Sequence, residues 1–424
     1  MRRTRYALSI GLCLFVLATL GYYYAYASDE RLPSLKLETI EGDAKEGAAL
    51  SLIGSYNGRI DTRFLTVTTE DSQYTRPSTF ADRILPKDSS LTVGPDLKAI
   101  RKEHPNFMRG KSESMGWYQD KELLVYAVAG PTKPDRRLRL GVELLDERSG
   151  KIKRYSVEAE NSQSYSSAYV ADVQRVGTQL HVLVKMKRNR AVNGEQEGSG
   201  LNEVWDYVLD SANGIVIARH NLGEELKAES GADAKLLIGS ITEESAVAQS
   251  DYALIKVTET RAKQVGDNVQ EIQPLGSRLY SYSYRTGERK LLAPFKTTTR
   301  GSGFACTLSG NQASILQNGE TPGSLAWTLF DVSTGEKKAD LAVTAEQLGG
   351  TDFGTTIISH GRVYALVHDK ISPQGGGGSI AAVLDAATGQ VLYRGKAVIT
   401  DPTHDGDKEW SRLELFNMRL SDER

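Results

Sequence analysis

One turn pattern recurs five times along this chain and limits its fold more than any other feature of the sequence. In each copy an Asp or Ser lies four residues before a Gly, and a Ser, Asn or Thr lies directly before that Gly. Apolar runs that favour β-strands flank each copy. The paired positions are Asp146 and Gly150, Asp210 and Gly214, Ser283 and Gly287, Asp331 and Gly335, and Asp385 and Gly389.

These residue types suit a hairpin turn. An Asp or Ser side chain at the start of a turn accepts a hydrogen bond from a backbone N–H about two residues on. Gly supplies the positive φ that closes a longer hairpin loop. We therefore interpret the five pairs as structural turn residues and predict no metal site, because one Asp per hairpin cannot complete a coordination shell.

Each turn follows a second pair of strand-like runs, so the chain repeats a unit of about four strands. Antiparallel four-stranded units arranged around an axis predict an all-β fold, the β-propeller. Five units fill 113–398, and a closing unit combines 36–70 with 410–420, which predicts six blades. Seven is the alternative if the insertion at 71–112 contains another blade, although its part at 95–105 reads as a short helix between prolines.

The repeats at 113–398 resemble those of quinoprotein-like (PQQ-like) and WD40-type propellers, whose outer hairpin often reads apolar-Asp-x-x-Thr-Gly-apolar. Quinoprotein dehydrogenases carry a Trp docking motif in most blades. Here the four tryptophans do not fall at one fixed place in the units, so we predict no cofactor; they are Trp117, Trp205, Trp327 and Trp410. In layout the chain also resembles uncharacterised membrane-anchored bacterial propeller proteins.

The N-terminus resembles an export signal. Arg2, Arg3 and Arg5 precede an apolar run at 7–27, long enough to cross a bilayer. We expect a cytoplasmic segment at 1–6, a transmembrane anchor or signal peptide at 7–27, a linker at 28–35 and a propeller at 36–424. The anchor predicts a single-pass membrane protein with its C-terminal domain outside the cytoplasm. Cleavage after Ala27, giving a secreted protein, is the alternative.

Two neighbouring units carry basic loops opposite the repeated turns. We predict that these loops bind an anionic ligand, such as lipid headgroups, wall polymer or an acidic protein face, although ordinary solvated loops would read the same way. The formal net charge of −2 gives no global attraction to nucleic acid. The basic residues are Lys133, Arg136, Arg137 and Arg139 in the first loop and Lys185, Lys187, Arg188 and Arg190 in the second.

The sequence carries no recognisable catalytic motif. We expect His181 to be a packing residue, and Cys306 to be buried and unpaired with Cys13. The alternating Tyr280, Tyr282 and Tyr284 share one strand face and suit packing between adjacent blades.

The preferred hypothesis is a monomeric, non-enzymatic scaffold, sensor or assembly factor that binds an envelope protein or an anionic envelope polymer. Two alternatives stay open. One is an exported enzyme, either a polysaccharide lyase or hydrolase or a quinone-dependent oxidoreductase, because propellers can build active sites from scattered loop residues. The other is a carbohydrate-binding module.

Overall fold

The computed structural model describes 15 segments of the chain. They are residues 12–19, 21–22, 32–58, 62–75, 95–111, 113–131, 137–188, 202–228, 235–241, 247–266, 269–295, 305–319, 321–369, 378–401 and 406–420.

These residues form six antiparallel sheets, five with four strands and one with five. The first strand of the chain is β1 (Leu35–Gly42). Sheet 1 contains β2 (Leu50–Asn57), β3 (Thr62–Val67), β4 (Ser72–Tyr74) and the last strand, β25 (Leu413–Leu420). Sheet 2 contains β5 (Trp117–Gln119), β6 (Leu123–Pro131), β7 (Leu138–Asp146) and β8 (Ile152–Glu158). Sheet 3 contains β9 (Tyr165–Val176), β10 (Gln179–Arg188), β11 (Asn202–Asp210) and β12 (Val216–Asn221).

The remaining three sheets follow the same order along the chain. Sheet 4 contains β13 (Lys235–Ile241), β14 (Tyr252–Gly266), β15 (Val269–Ser283) and β16 (Arg289–Phe295). Sheet 5 contains β17 (Ala305–Ser309), β18 (Gln312–Asn318), β19 (Ser324–Asp331) and β20 (Lys337–Thr344). Sheet 6 contains β21 (Asp352–Ser359), β22 (Arg362–His368), β23 (Ser379–Asp385) and β24 (Val391–Ile399), with β1 as its fifth strand. The all-β prediction of six four-stranded units is confirmed.

Neighbouring sheets pack face to face through apolar cores. Separate cores join sheets 2 and 3, 3 and 4, 4 and 5, 5 and 6, and 6 and 1. Alternate residues of one strand serve two cores, since Ile255 of β14 packs towards sheet 3 and Leu254 packs towards sheet 5. This explains why central strands such as β10, β22 and β23 read as nearly continuous apolar runs: both of their faces are buried.

The strands near both ends of the described chain are added to sheets that share a core, sheets 6 and 1. The C-terminal strand β25 pairs with β2 at the edge of sheet 1, as the sequence predicted. The N-terminal strand β1 pairs with β24 of sheet 6, from Leu35 opposite Ile399 to Gly42 opposite Tyr393. The prediction that all of 36–70 joins the closing unit was therefore wrong for β1. The side chains of Leu35 and Leu37 enter the core between sheets 6 and 1. They would be buried in this core whether β1 joined sheet 6 or sheet 1.

Five short helices lie between the strands. The helix predicted within 95–105 is present. Together with the helix after it, it packs on the face of sheet 2 that points away from sheet 3, through Leu97, Ile100 and Phe107 against Trp117 and Tyr126. The helices are α1 (Ala44–Ala48), α2 (Pro95–Glu103), α3 (Pro105–Met108), α4 (Leu222–Ala228) and α5 (Gly406–Trp410), with 3₁₀ turns at Ser162–Ser164 and Glu346–Leu348.

Most of the predicted N-terminal signal lies outside the described residues. Residues 12–19 and 21–22 are helical, whereas 1–11, 20 and 23–31 are not described. Among the described residues, no helix has the length and apolar character needed to span a bilayer.

The repeated turns share one hydrogen-bond pattern. Asp146 Oδ1 accepts hydrogen bonds from the backbone N–H groups of Arg148 (3.1 Å) and Ser149 (2.7 Å), and Gly150 N donates to Asp146 O at 2.8 Å. Asp210, Asp331 and Asp385 accept equivalent pairs of hydrogen bonds, and Ser283 accepts one. All five glycines have φ between 66° and 78°, which is the region where a side chain adds strain.

Two of these glycines form a matched pair for mutation. A Cβ at Gly150 would meet nothing within 4 Å, whereas a Cβ at Gly214 would lie 2.2 Å from Cγ of the Tyr155 ring. Gly150→Ala should lower the free energy of unfolding by about 1 kcal/mol through backbone strain alone. Gly214→Ala should cost about 1–3 kcal/mol more, because the Tyr155 ring must also move.

Urea unfolding of the full chain, followed by tryptophan fluorescence, measures both losses. Equal losses for the two variants would contradict the packing of Tyr155 against the neighbouring turn.

Candidate functional site

The six sheets share two ends, and the functional candidates lie at different ends. We call the end that carries the five capped turns the turn face, and the opposite end, where the second and third strands of each sheet connect, the loop face. Contacts between turns of adjacent sheets support one common turn face: Tyr155 OH donates to Ala212 O at 2.8 Å, and Lys290 Nζ donates to Ser333 O. The predicted basic loops therefore belong to the loop face of sheets 2 and 3.

The structure divides the predicted basic residues into three groups. Lys133, Arg136 and Arg190 lie outside the described residues. Two others are paired with carboxylates, Arg137 with Glu158 at 3.2 Å and Arg188 with Glu203 at 2.5 Å. The other three lie on strands that lead into these loops: Arg139 and Lys187 are exposed, and Lys185 is half-buried, with its Nζ 5.6 Å from the centre of the Tyr169 ring. Lys185 and Tyr169 are direct cross-strand partners on β10 and β9.

Glu203 is the buried centre of the loop end of sheet 3. Its side chain accepts hydrogen bonds from Tyr165 OH (2.6 Å), Arg188 Nε (2.5 Å) and Trp205 Nε1 (3.1 Å), and Asn221 Nδ2 lies at 3.3 Å. Burial would raise the pKa of Glu203, but the hydrogen bonds from Tyr165 and Arg188 outweigh burial and hold that pKa below its ordinary value. Arg188 is thus used inside the protein and is less available to a ligand than the loop sequence indicates.

A second polar cluster is buried between sheets 3 and 4. His181 Nδ1 lies 2.8 Å from Asp206 Oδ2, and Tyr282 OH donates to the same oxygen at 2.7 Å. His181 is 5% exposed and Asp206 is fully buried. Within the described part of the chain, His181 Nε2 and Asp206 Oδ1 have no hydrogen-bond partner. Such atoms are costly to bury, which marks this cluster as more than packing.

Asp172 lies beside this pair and is also enclosed. Its Oδ2 accepts a hydrogen bond from Tyr284 OH at 2.6 Å, and its Oδ1 accepts from the backbone N–H of Val173 at 2.8 Å and from Gln174 Nε2 at 3.2 Å. Burial raises the pKa of Asp172 to about 6, although the hydrogen bonds from Tyr284, Gln174 and Val173 act in the opposite direction. The negative charge of Asp206 adds a smaller upward effect on this pKa.

Tyr282 and Tyr284 were predicted from the sequence to pack between blades. Their hydrogen bonds to the buried carboxylates of Asp206 and Asp172 were not predicted. The signal was present in "VADVQ" at 170–174, where Asp172 and Gln174 alternate on an otherwise apolar strand. His181 is buried as expected for a packing residue, and its ring also contacts Tyr284 at a centroid distance of 5.5 Å.

Chemically, these clusters can position charges and protons, and they are closed to a substrate. His181, Asp206 and Asp172 lie between packed sheets with at most 7% exposure. Burial raises the pKa of the Cys306 thiol to about 12, so little of the nucleophilic thiolate forms near neutral pH. Among the described residues, no group of three or more His, Cys, Asp or Glu is placed to hold a metal ion.

Comparisons with known proteins agree with the fold. No family model and no curated protein sequence matches the chain. Solved structures do resemble it. The β-propeller domain of the trilobed protease from Pyrococcus furiosus aligns with 10% identity and a TM-score of 0.23, covering 66% of this chain and 81% of that one. At that TM-score the likeness carries no argument, and the propeller fold rests on the six sheets and the cores that pack them face to face in series.

Two further solved structures resemble the chain at similar levels. The acylaminoacyl peptidase of Pyrococcus horikoshii has 11% identity and a TM-score of 0.28, over 65% of this chain but only 45% of the peptidase. TolB from Acinetobacter baumannii has 12% identity and a TM-score of 0.21, over 79% of this chain and 75% of TolB. At TM-scores below 0.5 these likenesses carry no argument about activity, and the six sheets themselves support the propeller fold.

The buried pair of Glu203 and Arg188 can be compared with the exposed pair of Glu158 and Arg137. Glu203→Gln should lower the free energy of unfolding at pH 7 by about 3 kcal/mol, because it removes the charge that a buried, multiply bonded cluster depends on. Glu158→Gln should cost less than about 1 kcal/mol, since both partners are exposed.

The pH dependence gives the check on the mechanism. A carboxyl with a lowered pKa stabilises the fold above its unfolded pKa, so the deficit of Glu203→Gln should shrink as the pH falls below the ordinary value of 4.5. Chemical denaturation from pH 3 to pH 7 measures this. A deficit that stays constant across that range would contradict the charge-based role of Glu203.

Proposed function

We propose that this protein is a membrane-anchored, extracytoplasmic β-propeller that acts as an interaction scaffold in the cell envelope. Its loop face rests against the anionic membrane surface, and its turn face is presented to an envelope protein or polymer. In this role the propeller acts as a monomer and binds without chemical turnover.

The proposal rests on the position at which the chain enters the propeller. Ser34 O accepts a hydrogen bond from Thr400 N at 2.8 Å, and Pro33 O accepts one from Tyr74 OH at 2.7 Å. Thr400 follows β24 on the loop face. The Tyr74 ring packs edge-on against Tyr56, whose hydroxyl donates to Glu409 of α5 at 2.5 Å. Pro33 and Ser34, just before β1, are therefore held by hydrogen bonds at the loop face.

Chain length then limits the distance between this face and the bilayer. The apolar segment ends at Ala27, and Pro33 is held by its hydrogen bond with Tyr74. The six residues from Ala27 to Pro33 can therefore span at most about 20 Å. With 7–27 inserted as the anchor, the loop face lies next to the membrane and the turn face points away from it.

The side chains of the loop face support contact with anionic headgroups. Lys187 is exposed, and Lys185 lies over the half-exposed ring of Tyr169, on the edge strand β9 of sheet 3. Basic side chains next to a bilayer gain about 1 kcal/mol each from anionic lipid. Tyrosine rings favour the same headgroup region.

Fluorescence quenching in vesicles tests the anchor and the orientation together. The full chain, carrying Cys13→Ser, receives one label at Lys187→Cys on the loop face or at Lys151→Cys in the turn of sheet 2. The protein is reconstituted into vesicles that contain an anionic lipid and a lipid with a nitroxide headgroup. The label at residue 187 should be quenched several-fold more strongly than the label at residue 151.

Two outcomes would contradict the proposal in different ways. Equal quenching at the two positions would contradict the orientation. A chain that stays in solution when the vesicles are sedimented would contradict the anchor itself. The Cys13→Ser chain without an introduced cysteine, treated with the same label, measures any background labelling of Cys306.

A further inference from the structure

The connection between β13 and β14 joins three sheets on the turn face. Its described part is residues 247–251, of which we call residues 247–250 the clamp segment; this segment contacts both sheet 3 and sheet 2. Gln174 of β9 donates through Nε2 to Ala248 O at 3.0 Å and accepts from Ser250 N through Oε1 at 2.9 Å. Further along, Gln249 Nε2 donates to Gln119 O of sheet 2 at 3.0 Å.

An apolar contact extends this bridge. Val247 packs against the cluster that Trp117 and Tyr126 of sheet 2 form with α2 and α3. The clamp segment is therefore held at two places, by the Gln174 amide on sheet 3 and by the Val247 and Gln249 contacts on sheet 2. Loss of either set of contacts would weaken the connection that the clamp segment makes between sheets 2, 3 and 4.

The Gln174 amide is itself positioned by a buried carboxylate. Asp172 Oδ1 accepts from Gln174 Nε2, and Asp172 Oδ2 accepts from Tyr284 OH. Gln174 is 3% exposed and Asp172 is 7% exposed. The two residues lie two apart on β9, so they share one strand face, and the clamp segment lies against Gln174.

The ionisable groups around Asp172 offer it little positive charge. Towards sheet 4 it meets Tyr284, with Tyr282 nearby, and on its own sheet it meets Asp206 and His181, which bind each other. The clamp segment contributes no ionisable side chain. The nearby Arg175 is occupied by Asp120 (2.8 Å) and Glu122 (3.0 Å) of sheet 2, and Asp251 is paired with Arg285 at 3.2 Å.

We propose that Asp172 makes the clamp pH-dependent, so that the clamp segment is held most tightly at acidic pH and loosens as the pH rises. In the closed arrangement the carboxyl is cut off from water, which favours its neutral, protonated form. When the clamp segment leaves Gln174, water reaches Asp172 and favours the ionised form. The closed arrangement therefore binds a proton more tightly than the open one, and by linkage a proton favours closure.

The size of the effect follows from the two pKa values. The pKa of Asp172 is about 6 in the closed arrangement, against the ordinary value of 3.8 that a hydrated Asp has. The equilibrium between closed and open forms should therefore shift towards open by about 100-fold as the pH rises from about 3 to about 7, and then level off. This regulation goes beyond the proposed scaffold role, because it does not depend on the anchor or on any partner.

Hydrogen exchange of the full chain tests the proposal. Peptides that cover 247–252 report the protection of the Ser250 amide, corrected for the intrinsic pH dependence of exchange. In the wild type this protection should fall by up to about 100-fold between pH 4 and pH 7. Asp172→Asn, which is neutral at every pH, should remove the pH dependence, and Gln174→Ala should remove the protection throughout.

The matched control is Asp210→Asn, the same substitution in a turn of the same sheet, and it should retain the wild-type pH profile. Protection in the wild type that does not change with pH would overturn the proposal, as would an Asp172→Asn profile that matches the wild type. Tyr284→Phe gives a second approach that does not depend on the folding of Asp172→Asn. Loss of its hydrogen bond should raise the pKa of Asp172 and move the transition to higher pH, and an unmoved transition would also overturn the proposal.

Discussion

Burial of both faces of the central strands is the constraint on which the rest of this structure depends. Leu254 and Ile255 are adjacent residues of β14, yet they enter the cores of two different interfaces. A sheet of this kind is stable only when both of its faces are covered, by neighbouring sheets or, on the outer face of sheet 2, by α2 and α3. The terminal strands extend two sheets that share one core: β25 completes sheet 1, and β1 adds a fifth strand to sheet 6.

The pairing of β1 with β24 also determines where the chain enters the propeller. Because β1 runs antiparallel to β24, its first residue lies opposite Ile399, near the loop face. A segment needed for stability thus also sets the direction from which an anchor would arrive. The basic edge around Lys185 and Lys187 lies on that same side, so the proposed contact with the membrane combines two independent features of the loop face.

The interface between sheets 3 and 4 contains three buried ionisable residues, Asp172, Asp206 and His181, among its apolar residues. Buried ionisable groups rarely stabilise a fold better than apolar residues of the same size. Their hydrogen bonds instead connect parts of the chain that lie far apart in sequence, as Tyr284 does with Asp172 across 112 residues. The clamp segment meets Gln174 at this interface, so the proposed response to protons would act here.

Much of the fold could be predicted from the sequence because its signals are local. The spacing of Asp385 and Gly389 specifies a turn within five residues, and the prolines around 95–105 mark a helix within eleven. The placement of β1 could not be predicted in this way, because the alternation of Leu35 and Leu37 suits the edge of either sheet. The basic patch was overcounted for a similar reason. The charge of Arg188 is offset by Glu203 on the neighbouring strand, across a long loop, and a count of loop charges does not include that partner.

The proposed orientation, with the loop face towards the membrane, connects the propeller fold to the proposed scaffold role. Electron cryomicroscopy of the full chain in a lipid nanodisc that contains anionic lipid would test it most directly. We predict density for the propeller with its loop face towards the bilayer, Leu35 and Lys187 on the near side and the capped turns on the far side. A propeller with its turn face against the bilayer, or one that takes no preferred orientation, would contradict the account.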